Sequence, residues 1–99
     1  MSTPSIPAEV TRARVVRSPL VLWRQGPFGV VVLGPEAPRP VTLAGTGAAV
    51  WNALGAEGTL DDLVVALADA YGADRAVVLG DVTPVVELLL RIGAYEVST

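Results

Sequence analysis

The chain has 99 residues, 52% of them hydrophobic, which makes one domain with enough apolar material for a single core. It has no cysteine and no histidine, so disulfides, thiolate or imidazole metal sites and nucleophile–base pairs built on either residue are excluded. The net charge of −3 is unevenly spread: residues 1–44 carry five Arg against Glu9 and Glu36, and residues 45–99 carry Arg75 and Arg91 against eight carboxylates.

Residues 1–14, with Pro4, Pro7 and small polar side chains, are expected to be a flexible tail, and residues 15–99 a single folded domain. Val15 to Trp23 is rich in β-formers but is interrupted at Ser18-Pro19. Proline has no N–H for a ladder, so the first regular strand is expected to start near Leu20. Gln25-Gly26-Pro27 reads as a turn, Phe28 to Leu33 as a second strand, and Gly34-Pro35-Glu36-Ala37-Pro38 as a loop. Pro40 to Leu43 is a short third strand, and the three together predict an antiparallel meander.

Helical periodicity takes over in the second half. A first helix is predicted over Thr46 to Leu54, with Gly47, Val50, Trp51 and Leu54 on one face, ended by Gly55-Ala56-Glu57-Gly58. Thr59 suits an N-cap, and Asp61 and Asp62 complement the dipole of a second helix. That helix places Leu60, Leu63, Val64, Leu67, Ala68 and Tyr71 on its core face, with Gly72 as its C′ residue. A third helix runs from about Asp74 to Gly93 with a core stripe of Val78, Val82, Val85, Leu89 and Ile92. Pro84 removes its bond to the Gly80 carbonyl, so the helix either kinks there or breaks and restarts near Thr83. Tyr95 to Val97 reads as a short extended end. Strands followed by helices predict an α+β, winged-helix-like domain: a three-stranded antiparallel sheet followed by three helices.

Beside the core stripe of the third helix lies a second one: Val77, Asp81, Pro84, Leu88 and Arg91 fall on one face at about 100° per residue. A mixed stripe of this kind is either a solvated face or one wall of a groove. The opposite wall would be Val41, Thr42 and Leu43, if that strand lies at a sheet edge whose free N–H and C=O groups an extended peptide can pair with. Arg39 and Arg91 are placed to meet acidic side chains of such a peptide. Trp51 reads as core, and Trp23, at the end of the first strand, either caps the core or lies half exposed. Asp61-Asp62 lacks the geometry of an acid–base pair, because neighbours on a helix diverge by about 100°. Gly45-Thr46-Gly47 lacks the lysine and further glycine of a phosphate loop.

Val41-Thr42-Leu43 leading into Gly47-Ala48-Ala49-Val50-Trp51 resembles the strand-to-helix junction of the PqqD-like proteins. So does Gly58-Thr59-Leu60-Asp61-Asp62-Leu63 with Leu67 and Tyr71 after it, and Asp81-Val82, Leu88-Leu89 and Ile92-Gly93 look like the family's last helix. Ala44 departs from the pattern, standing where the family often has a helix-capping Asn, which leaves Thr46 or the bare glycine backbone to cap the first helix. Pro84 in the last helix is a second departure. The resemblance implies a RiPP recognition element, a domain that holds the leader of a ribosomally made precursor peptide as an added strand against the last helix. The partner it implies is a maturation enzyme such as a radical SAM protein, a cyclodehydratase or a lasso-peptide protease.

The expected function is therefore peptide binding and presentation, with no catalysis, no metal and no cofactor. The alternatives are a winged-helix nucleic-acid-binding domain, which the acidic helical half opposes, and a docking or homodimerisation subunit. No signal peptide or run of about 18 apolar residues is present, so no membrane association and a cytoplasmic location are expected.

Overall fold

The structure, a computed structural model, describes residues 12–98. Most of the expected tail, residues 1–14, lies outside the described residues; Arg14 is the first residue of a strand. The elements in chain order are β1 (Arg14–Arg17), β2 (Leu22–Gly26), β3 (Gly29–Leu33), β4 (Val41–Leu43), α1 (Thr46–Leu54), β5 (Glu57–Thr59), α2 (Leu60–Tyr71), α3 (Arg75–Arg91) and β6 (Tyr95–Ser98). Among the described residues no helix is long and apolar enough to cross a membrane.

The expected meander is present as the sheet β2-β3-β4, antiparallel throughout, with Leu22 opposite Leu33 and Val32 opposite Val41. Its middle strand shows the period-2 logic of a half-buried strand: Val30 and Val32 are fully buried while Val31 faces out. The strand begins at Gly29 rather than at Phe28, because Pro27 and Phe28 form the two-residue turn between the paired Gly26 and Gly29.

A second sheet, β5-β1-β6, was not foreseen. The expectation that regular strand structure starts near Leu20 is corrected by β1, which is complete before Ser18-Pro19 interrupts the run. Val15 pairs with Gly58 on one side and with Val97 on the other, so β1 is central and its inward Val15 is buried. The turn that follows is held by Ser18 itself: its N–H donates to the Ala94 carbonyl at 2.9 Å and its hydroxyl accepts from the Leu20 N–H at 3.1 Å. Glu57 and Gly58, read as part of a helix terminator, and Thr59, read as an N-cap, together form β5. Such short strands become regular only through partners distant in the chain, which local propensity does not report.

The helices form as the sequence predicts, with some changes of face. Gly45 caps α1 without a side-chain bond, the Gly47 N–H reaching the Ala44 carbonyl at 3.0 Å, so bare backbone takes the capping role. Thr59 caps α2 by accepting from the Asp62 N–H at 3.0 Å, and Gly72 ends it in the left-handed region at φ 62°. Asp74 caps α3 by accepting from the Ala76 N–H at 2.9 Å. Helix α3 continues unbroken past Pro84. Gly80, whose carbonyl loses its donor, lies like Pro84 on the exposed side of the helix, where solvent can reach it. In its core stripe Val86 is buried where Val85 was expected; Val85 is half-buried beside the core. Tyr71, expected to complete the core face of α2, is 68% exposed.

Trp51 lies at the centre, 1% exposed. Trp23 stacks edge-on against it at 5.4 Å and Tyr95 at 5.5 Å, so one indole joins both sheets to α1. Arg17 closes the cluster, its guanidinium carbon 4.0 Å from the Trp51 ring centroid, within the range of an attractive cation–π contact. Its Nε donates to the Tyr95 hydroxyl at 3.1 Å, and that hydroxyl donates to the Gly55 carbonyl.

Candidate functional site: the β4 edge and the face of α3

Strand β4 is the last strand of its sheet, and among the described residues it pairs only with β3. A Cβ built on Gly29 would strike the Leu43 carbonyl oxygen, so that carbonyl points toward β3. Alternation along a strand then turns the Thr42 N–H and C=O to the open side. Of the flanking groups there, Pro40 has no N–H, and the Ala44 carbonyl is taken by Gly47. The free backbone edge is thus short and centred on Thr42.

Two contacts fix how α3 passes this edge. Near its middle, Asp81 and Val82 share a hollow with Thr46, the first residue of α1, three positions after the end of β4. Past its end, the Ile92 carbonyl accepts from the Glu36 N–H at 2.9 Å, in the loop that leads into β4. Helix α3 therefore runs antiparallel to β4. Leu43 is buried; Val41 on the strand and Val85 and Leu88 on the helix are half-buried and pack against the core. Thr42, Pro84, Asp81 and Arg91 are exposed, and Val77 is 58% exposed.

The charges in this region are polarised. Arg39, in the loop before β4, and Arg91, beside Ile92, stand at one end, and Asp81 stands at the other. Among the described residues the single ion pair is Arg14–Glu57 at 3.5 Å, across β1 and β5; Arg39, Arg91 and Asp81 have no charged partner there. Among the same residues no group of three or more acidic side chains is arranged to hold a metal ion.

The hollow at the Asp81 end is the feature that sequence reasoning missed. Ala49, Leu67, Val78 and Val82 form its floor, and the exposed Tyr71 stands at its rim. Helical register alone assigned Tyr71 to the core. Its exposure follows from its place at the last turn of α2, where Gly72 turns the chain away. A separate open hollow lies on the outer face of the meander, lined by Leu22, Val31, Leu33 and Pro40.

The site is thus a strand edge left open at Thr42, with the last helix running antiparallel to that strand. The family model described as coenzyme PQQ synthesis protein D (PqqD) matches residues 29–94, and the chain belongs to that family. Among solved structures it is similar to the solution NMR structure of the PqqD truncation of Methylobacterium extorquens PqqCD, described as a functional and stand-alone RiPP recognition element. The identity is 23%, the TM-score 0.66, and the match covers 89% of this chain and 98% of that one. The shared fold is α+β with three helices. No curated protein matches the chain.

Proposed function

We propose that this domain binds the leader segment of a ribosomally made precursor peptide as an added strand on β4 and presents it to a modifying enzyme. The observation that carries the reading is the edge of β4, which among the described residues pairs only with β3; the reading takes the Val77, Asp81, Pro84, Leu88 and Arg91 face of α3 as the other wall. Main-chain bonds to an edge supply affinity independent of sequence, and flanking side chains select among peptides. In this reading the Thr42 backbone pairs with the leader, Val41 and Leu43 flank it on the strand, Leu88 contacts its inward side chains, and Arg39 and Arg91 meet acidic residues at one end. Membership of the PqqD family and the fold shared with a RiPP recognition element support it. The domain acts as a binder rather than a catalyst, and the chemistry belongs to the partner, a radical SAM protein, a cyclodehydratase or a protease. The exposed outer face of the meander, with Leu22 67% and Phe28 85% exposed, is the surface suited to that enzyme.

Titration of the full chain with the leader half and the core half of a precursor encoded beside its gene tests the reading. Binding of the leader half alone, with amide shifts along β4 and α3, is expected. Equal binding of both halves, or shifts confined to the β5-β1-β6 sheet, would refute it.

A further inference from the structure

We infer that the hollow between α1, α2 and α3 is a side-chain subsite at one end of the β4 groove, which takes an apolar anchor residue of the bound peptide flanked by a basic residue. This rests on the strand-addition reading and adds a sequence preference to it. The hollow measures about 100 Å³. That is several times the ~10–15 Å³ one water needs in the same measure, so it is side-chain-sized. Its floor is apolar: Leu67 and Val82 are buried and Ala49 half-buried. Nothing in the described residues fills it, although Tyr71 stands at the rim with 68% of its surface exposed. An aromatic left outside the core beside an empty apolar hollow is placed to close over an incoming aliphatic group.

Position ties the hollow to the groove. Thr46 lines it and follows Leu43 by three positions. A peptide paired along β4 points alternate side chains to the same side as Val41 and Leu43. Two residues past the one opposite Leu43, the next inward side chain arrives opposite Gly45, beside the hollow. Charge then selects its neighbour. Asp81 stands at the mouth with no cation among the described residues, in a half of the chain where eight carboxylates face two Arg. A peptide Arg or Lys next to the anchor meets this carboxylate, and an acidic residue there is repelled.

The test is a selection of random 12-residue displayed peptides on the immobilised full chain, repeated with D81K. Asp81 and Tyr71 are exposed, so D81K and Y71A leave the core intact. Wild type is expected to enrich an aliphatic residue with Arg or Lys within two positions, and D81K to replace that Arg or Lys by Asp or Glu. A synthetic wild-type binder should lose about tenfold in affinity for D81K, most strongly at low salt, and several-fold for Y71A. Binders that shift the β4 amides but are indifferent to both substitutions would overturn the subsite and leave the strand-addition reading standing. Binders that do not shift the β4 amides, or no binders at all, would overturn both.

Discussion

The Ile92 carbonyl, just past the end of α3, accepts a hydrogen bond from the Glu36 amide at 2.9 Å in the loop between β3 and β4. This bond sets the distance between the end of α3 and the loop that leads into β4. It requires close backbone approach, and Gly34 permits it: a Cβ there would collide with the Ile92 carbonyl and side chain. Gly34 is itself buried, so the collision cannot be relieved toward solvent. G34A is expected to destabilise the domain by about 1–3 kcal/mol, the usual range for overpacking, in urea unfolding. It should also weaken leader binding beyond what the lost stability explains, because it moves α3 relative to β4.

The open edge centred on Thr42 gives a sharper separation of binding from folding. Proline is tolerated on an edge strand where the missing N–H would face solvent. T42P therefore removes an outward donor while β4 keeps its pairing to β3 through Val41 and Leu43. Thermal unfolding should move by no more than a few degrees. Peptide affinity, followed by calorimetry, should fall about tenfold, the equivalent of roughly one charge-independent hydrogen bond and its register.

Arg17 holds the two sheets together around Trp51. Its guanidinium carbon lies 4.0, 4.8 and 5.5 Å from the ring centroids of Trp51, Trp23 and Tyr95, and NH2 donates to the Trp51 carbonyl at 3.3 Å. The stacking and two hydrogen bonds together predict a loss of about 2–3 kcal/mol for R17A. R17K keeps the charge but loses the planar fork, and should recover less than half of it. Guanidinium denaturation of the three proteins, with Trp fluorescence as the probe, checks the order.

Tyr95 makes the same cluster sensitive to alkali. Burial pushes its phenol above the ordinary value of 10.0, and the hydrogen bond and charge of Arg17 pull it back only in part. The folded value is raised, so the unfolded chain loses this proton first. The stability contribution is fully present below about pH 10 and is lost as pH rises through the folded value. Y95F removes the titrating group along with its bonds to Arg17 and Gly55. It should be less stable at neutral pH, and its stability should fall less steeply than wild type as pH rises above 10.

The helical half was legible because its signals are local. Thr59, Asp74 and Gly72 mark helix ends, and a 3.6-residue stripe marks the buried faces of α2 and α3. The meander was legible from its runs of β-formers and its turn residues. The β5-β1-β6 sheet was hidden because three- and four-residue strands become regular only by pairing across the chain, as Val15 does with Gly58 and Val97. Val85 and Val86 exchanged roles because adjacent helical positions differ by about 100°, and only packing decides between them. For the face of α3, spacing placed Asp81 and Leu88 together, and the structure brings Asp81 into a hollow with Thr46 at the start of α1. Tyr71 and the hollow it rims depend on how three helices meet, which no single periodicity encodes.

Hydrogen exchange at the Thr42 amide, with and without a saturating leader peptide, tests the central claim most directly. If the leader adds as a strand to β4, that amide becomes a donor in a new ladder, and its exchange should slow at least tenfold while the amides of β6 stay unchanged. An unchanged Thr42 rate with the peptide demonstrably bound would contradict strand addition on this edge.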